Sequence, residues 1–283
     1  MSGSASPAAL AMRARFPAAF RPFYIQHGRG LLLLTLAVVL WLYGVSAMEV
    51  SGHRLLTGLG ELGRIATLML PPDPGSFAAV MVYAKALAET LAIAFLGTLG
   101  AAIIAFPLGF LAARNTTVSH IVRIFARRSF DTLRGVDILI WALVWINVVG
   151  LGPFAGVLAL ISSDVGSFGK LFSEAIEAAD NKAVEGVIST GGSGTAALRF
   201  GIVPQLLPVW VSQVLYFFES NTRSASIIGI VGAGGVGLVL SEQIRTLEFG
   251  QMSFMIGLIW LTVSLIDLGC SRLRFAIIGA RAR

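Results

Sequence analysis

A chain of 283 residues that is 56% hydrophobic and 13% charged, with a mean hydropathy of +0.83, carries about half the charge of an ordinary soluble domain. Its net charge of +6 would fit nucleic-acid binding in a soluble protein, but here the basic residues flank apolar runs, so they read as topology signals and no nucleic-acid partner is expected. The single cysteine, Cys270, excludes an internal disulfide, and histidines at 27, 53 and 120 have no metal-ligand spacing, so no metal or cofactor is expected in this chain.

Crossing a bilayer as a helix takes about 20 apolar residues. Arg13, Arg15, Arg21 and Arg29 precede an uncharged run at 31–47 that ends Val45-Ser46-Ala47. Such an ending also suits a signal peptide, but the long basic segment before it predicts an uncleaved first span at 30–48. Residues 49–85 are expected outside, with 55–70 along the interface and Pro71-Pro72-Asp73-Pro74-Gly75 as a helix breaker. Further spans are predicted at 86–113, 132–150, 153–172, 201–222 and 250–271, the third and fourth separated by Gly150-Leu151-Gly152-Pro153. The glycine-rich residues 224–240 fit a re-entrant segment or a half-length helix. The fold class expected is an all-α integral membrane protein of about six transmembrane helices. With the N-terminus inside, sixteen of the 21 Lys and Arg residues fall on the cytoplasmic side, Arg134 and Arg274 among them, which predicts both termini in the cytoplasm.

Between the fourth and fifth spans lies a polar loop at 173–200. It is predicted to begin as a helix, with Ile176, Ala179, Ala183, Val184 and Val187 on one face and Glu177, Asn181, Glu185 and Ser189 on the other. Gly191-Gly192-Ser193-Gly194 should end that helix. Glu185, Gly191 six residues on and Pro204 thirteen beyond match in spacing the "EAA" loop of ABC importer permeases, which the segment resembles. Gly186-Val187 replaces Ala-Ala of that pattern, and Gly201 stands where the family has Ile. The resemblance implies a coupling helix that docks on an ATP-binding subunit, with Glu177, Asn181, Glu185, Gly186, Gly191 and Pro204 as the coupling residues.

Ordered blocks elsewhere extend the likeness. They are Glu89-Thr90-Leu91, Phe106-Pro107-Leu108-Gly109-Phe110, Gly150-Leu151-Gly152-Pro153-Phe154, Gly169-Lys170-Leu171-Phe172, Glu174-Ala175-Ile176-Glu177, Asn221 with Arg223-Ser224-Ala225, and the glycine run that ends at Gly237. Together they resemble phosphonate importer permeases. That resemblance implies a type I ABC importer fold, a core of five helices plus an N-terminal one, with the transport domain at 86–283 following an N-terminal portion at 1–85. It also implies a homodimer, two ATP-binding cassette subunits that bind ATP and Mg, an extracytoplasmic binding protein, and residence in the bacterial inner membrane. Phosphite and phosphate-like ligands belong to the same expectation, and a permease for methionine or another amino acid is the alternative.

Gly232 to Gly237 reads G-x-G-G-x-G, but no strand–turn–helix context accompanies it, so a dinucleotide site is rejected in favour of close packing or an outer gate. The chain lacks a G-x-x-x-x-G-K-[ST] motif, and ATP hydrolysis is expected from a partner. Polar and ionisable side chains within spans mark pathways or helix contacts. Asn147, Ser162, Ser163, Asp164, Glu219, Asn221, Arg223, Ser224 and Ser226 are the pathway candidates: hydroxyls, amides and a guanidinium suit an oxyanion, while Asp164 and Glu219 would pair with Arg223 or shape a gate. An intramembrane enzyme is disfavoured because no Ser–His or Glu-x-x-His grouping occurs, and a stand-alone carrier or channel would have to work without an ATPase.

Overall fold

The computed structural model describes residues 28–48, 51–117 and 119–279. Arg13, Arg15, Arg21, His27, Arg281 and Arg283 lie outside the described residues, so their placement inside stays an expectation. The described residues are helical, with no strand among them, and the chain divides into two compact units, 1–66 and 67–283.

In the first unit, α1 (Gly28–Ala47) is 20 residues long, about 30 Å at the helical rise, and its leucines are exposed as lipid-facing side chains are. Next, α2 (Gly52–Leu68) buries none of its side chains. Leu55, Leu59 and Leu62 share one face, while Arg64 pairs with Glu61 at 2.8 Å, an amphipathic pattern suited to a membrane interface.

In the second unit, the Ser76 hydroxyl accepts the Ala79 N–H at 3.2 Å and starts α3 (Phe77–Ala112). This helix begins at 77 rather than 86: the cap fixes its start, and Lys85 and Glu89 lie inside a 36-residue helix instead of before it. It packs closely along α6 (Pro153–Glu177) through small residues. A Cβ on Gly97 would lie 2.5 Å from Leu160 Cβ, and one on Gly109 would lie 3.0 Å from Phe172 Cβ. Towards the same end of this crossing, Phe168, Phe172, Phe110 and Trp210 form an aromatic cluster.

The expected third span, 132–150, is not one helix. Helix α4 (His120–Arg134), capped by Ser119, is bent 89° from α5 (Ile138–Val149). The break has a local cause: Asp137 accepts the Leu139 N–H at 2.8 Å and so begins a new helix, while Gly135 ends the previous one. Twelve residues make α5 about 18 Å long, too short to cross alone. Helix α4 packs along α6, with Phe130 over Gly169 and the Arg134 backbone against Gly166. Arg134 therefore sits level with the middle of α6.

The loop beyond α6 also departs from expectation. Helix α6 ends at Glu177, and a separate helix, α7 (Asn181–Ser189), starts where Asp180 accepts the Lys182 N–H at 2.9 Å. A π turn at Ala197–Ile202 then leads into α8 (Val203–Ile228). After α8, residues 229–235 form a tight turn before the half-length α9 (Val236–Thr246), and α10 (Phe249–Gly279) closes the unit. The turn is packed rather than open: Gly235 and Val236 donate backbone N–H groups to Glu89 Oε1 at 2.9 Å and Thr90 Oγ1 at 2.8 Å. Gly232, Gly234 and Gly235 have φ of +106°, +80° and +72°, which explains the glycine run without any nucleotide.

Candidate functional site

Two regions gather the chemistry, an exposed helix in the polar loop and a cavity beside the broken span. Helix α7 lies against the π turn on one side only. Val184 and Val187 face inward, and Asn181, Lys182, Glu185, Gly186 and Ile188 are exposed, Ile188 at 54%. Gly201 is buried beneath it, and a Cβ there would come 3.1 Å from Val184 Cα. The departure from the family pattern at Gly201 thus lets two backbones touch. Gln205 fixes the other end: its amide donates to Asp180 O at 3.1 Å and Gly201 O at 2.6 Å, and its Oε1 accepts the Asp180 N–H at 3.1 Å. Gly191, with φ of +82°, turns the chain out of α7, and Pro204 enters the first turn of α8. Gln205 and Gly201 thus join α7 to the foot of α8.

Of the residues expected on this face, Glu177 is not on it. It ends α6 and accepts hydrogen bonds from Arg114 N at 2.6 Å and Arg127 Nη2 at 2.7 Å, tying the ends of α3 and α6 to the middle of α4. The expectation of one helix running through Glu177 and Asn181 fails because Asp180 caps a new one.

The cavity, of about 380 Å³, is lined by Arg134 and Asp137 from the broken span, Ser163 and Asp164 from α6, and Tyr216, Phe217, Ser220, Asn221 and Ser224 from α8. Four of the pathway candidates, Ser163, Asp164, Asn221 and Ser224, are brought together here. Asn221 is the hub: its amide donates to Thr98 Oγ1 at 2.8 Å and to Asp164 Oδ2, joining α3, α6 and α8 at one buried point.

The other candidates sit elsewhere. Ser162 accepts from Trp145 Nε1 at 2.9 Å, Asn147 donates to Leu143 O at 2.7 Å, and Ser226 bonds Thr222 O within its own helix. Arg223 reaches Glu219 at 3.4 Å, but the shorter partner of buried Glu219 is Arg274 of α10, at 2.8 Å. Arg134, Asp137, Tyr216 and Ser220, which line the cavity, were missed as site residues. A glycine and an acid at 135 and 137, just before the apolar run that starts at Ile138, were the available sign that the span breaks there. Among the described residues no group of three His, Cys, Asp or Glu side chains is placed to hold a metal ion.

Residues 105–269 match the binding-protein-dependent transport system inner membrane component family. Over 249 residues the chain is 36% identical to the transport system permease protein HtxC of Stutzerimonas stutzeri, covering 88% of this chain and 86% of that one. Over 213 residues it is 34% identical to the phosphite transport system permease protein PtxC of the same organism, covering 75% and 76%. Among solved structures, a chain of the inward-facing MetNI methionine ABC transporter superposes with a TM-score of 0.62 at 19% identity, covering 72% of this chain and 99% of that one, a likeness of fold. The apolar spans, the packed helical core and these matches together place the chain in the family of inner-membrane components of binding-protein-dependent transport systems.

Proposed function

We propose that this protein is the permease subunit of an ATP-driven importer that carries a phosphorus oxyanion, a phosphonate or phosphite, into the cytoplasm. Two copies would pair around a central path, two ATP-binding cassette subunits would bind ATP and Mg and dock on α7, and an extracytoplasmic protein would deliver the ligand. Both termini would lie in the cytoplasm. The observation that carries the reading is the half-exposed α7, clamped by Gln205 to the foot of α8. A short helix with one free face, rigidly joined to a long span, is what a soluble motor needs to move a membrane helix. The named ligand of the relative PtxC favours the oxyanion, whereas the MetNI likeness is one of fold and speaks for no ligand.

The test is uptake by proteoliposomes holding this chain, its ATPase and its binding protein. ATP-dependent accumulation of methylphosphonate or phosphite, insensitive to excess methionine, is the expected result. Methionine uptake that phosphorus oxyanions fail to inhibit would replace the reading with the amino-acid one.

A further inference from the structure

We infer that the cavity at the α4–α5 break is an anion subsite inside the membrane part of the permease, with Arg134 as the charge that meets a tetrahedral oxyanion in transit. This deepens the reading above and rests on it. Arg134 sits level with Gly166, halfway along α6, where a guanidinium is costly unless it faces water or a partner. Its side chain has no ion pair or hydrogen bond among the described residues, unlike Arg127, Arg223 and Arg274, which are paired. It lines a cavity together with the hydroxyl-bearing residues Ser163, Ser220, Ser224 and Tyr216, Ser224 also bonding Ser220 O at 3.4 Å. A fork of N–H donors surrounded by hydroxyls is the chemistry that fits phosphoryl or phosphonyl oxygens.

Two carboxyl groups share the cavity, and their placement decides what kind of site it is. Asp137 is committed to the α5 N-terminus through Leu139 N, where the helix dipole offsets its charge. Asp164 is 5% exposed and held by the Asn221 amide. The acids thus weaken the hold on an anion without cancelling the guanidinium. A path must bind well enough to admit its cargo and loosely enough to release it. The cavity lies at the break itself, since Arg134, Asp137 and Ile138 from its two sides line it.

The experiment uses the complete transporter in proteoliposomes and compares wild type, Arg134→Ala and Arg134→Lys. It records methylphosphonate uptake, ATP hydrolysis stimulated by the binding protein, and co-purification of the ATPase. Loss of uptake by about tenfold or more in Arg134→Ala, with stimulated hydrolysis retained and partial recovery in Arg134→Lys, is expected. Should Arg134→Ala fail to assemble, Ser224→Asp, which adds a negative charge to the facing wall, is expected to cut uptake by a similar factor in an assembled complex. Wild-type uptake with Arg134→Ala within twofold of it would overturn the subsite and leave the importer reading intact. A wild-type complex that takes up no phosphorus oxyanion would overturn both.

Discussion

Gly201→Ile is expected to lower ATP-driven uptake by about tenfold or more, while Gly201→Ala stays within about twofold of wild type. The backbone of α7 lies directly on Gly201, and a Cβ at that position would have Val184 Cα, Cγ2 and N all within 3.2 Å. One methyl group asks Val184 to yield by a few tenths of an ångström. A branched four-carbon side chain has no such room, and overpacking of this kind costs about 1–3 kcal/mol. The strain falls on α7, because α7 buries none of its side chains fully whereas Gly201 is buried and Ile202 packs into the aromatic core. Lifted from the π turn, α7 would lose the Gln205 clamp and with it the rigid link to α8. ATPase activity of the complex and uptake, measured together, check this: uptake falls further than hydrolysis. Equal rates in Gly201→Ile and wild type would mean that the contact between α7 and the π turn transmits nothing.

Asn221→Leu is expected to destabilise the helical bundle by about 3 kcal/mol, more than the roughly 0.6–2 kcal/mol typical of interhelical hydrogen bonds in membranes. The excess comes from what is left behind. Asp164 and Thr98, 5% and 1% exposed, would lose the donor that serves both. A buried acid without a partner costs more than the bond itself was worth. Asp164→Asn keeps a polar partner for Asn221 and is expected to cost less than about 1 kcal/mol. Pairing Asn221→Leu with Asp164→Leu removes both sides and is expected to recover part of the loss. Reversible unfolding in mixed micelles gives these differences, and a cost below about 0.5 kcal/mol for Asn221→Leu would show that the three helices do not depend on this joint.

How much of this was legible beforehand varies with how local the cause is. Uncharged apolar runs identify the spans around α1, α3, α6, α8 and α10, because hydropathy alone decides whether a helix can sit in lipid. The spacing of Glu185, Gly191 and Pro204 located the polar loop for the same reason: turns and helix ends are written in adjacent residues. The 89° break was harder to see, since residues 138–149 are apolar enough to pass for the second half of a single span. What marks the break is a cap, and a cap is one side-chain hydrogen bond. Glu177 looked like part of the loop face because period alone placed it there, while its actual partners, Arg114 and Arg127, lie 63 and 50 residues away. Arg274 was likewise counted as a flanking charge, although it reaches Glu219 across 55 residues of chain. Long-range pairings of this sort depend on how helices cross, which no single segment records. Gly201 shows the reverse case: it stood out in the sequence as a departure, and the close approach of Val184 supplies its reason.

Ile188 is a large apolar residue exposed on α7, and it offers the most direct measurement. Ile188→Cys in a Cys270→Ser background, treated with a short bifunctional cross-linker in the assembled transporter, is predicted to capture the ATPase subunit. Capture of the extracytoplasmic binding protein instead, or no capture of an ATPase that co-purifies with the chain, would contradict the assignment of α7 as the element through which the motor moves the membrane helices.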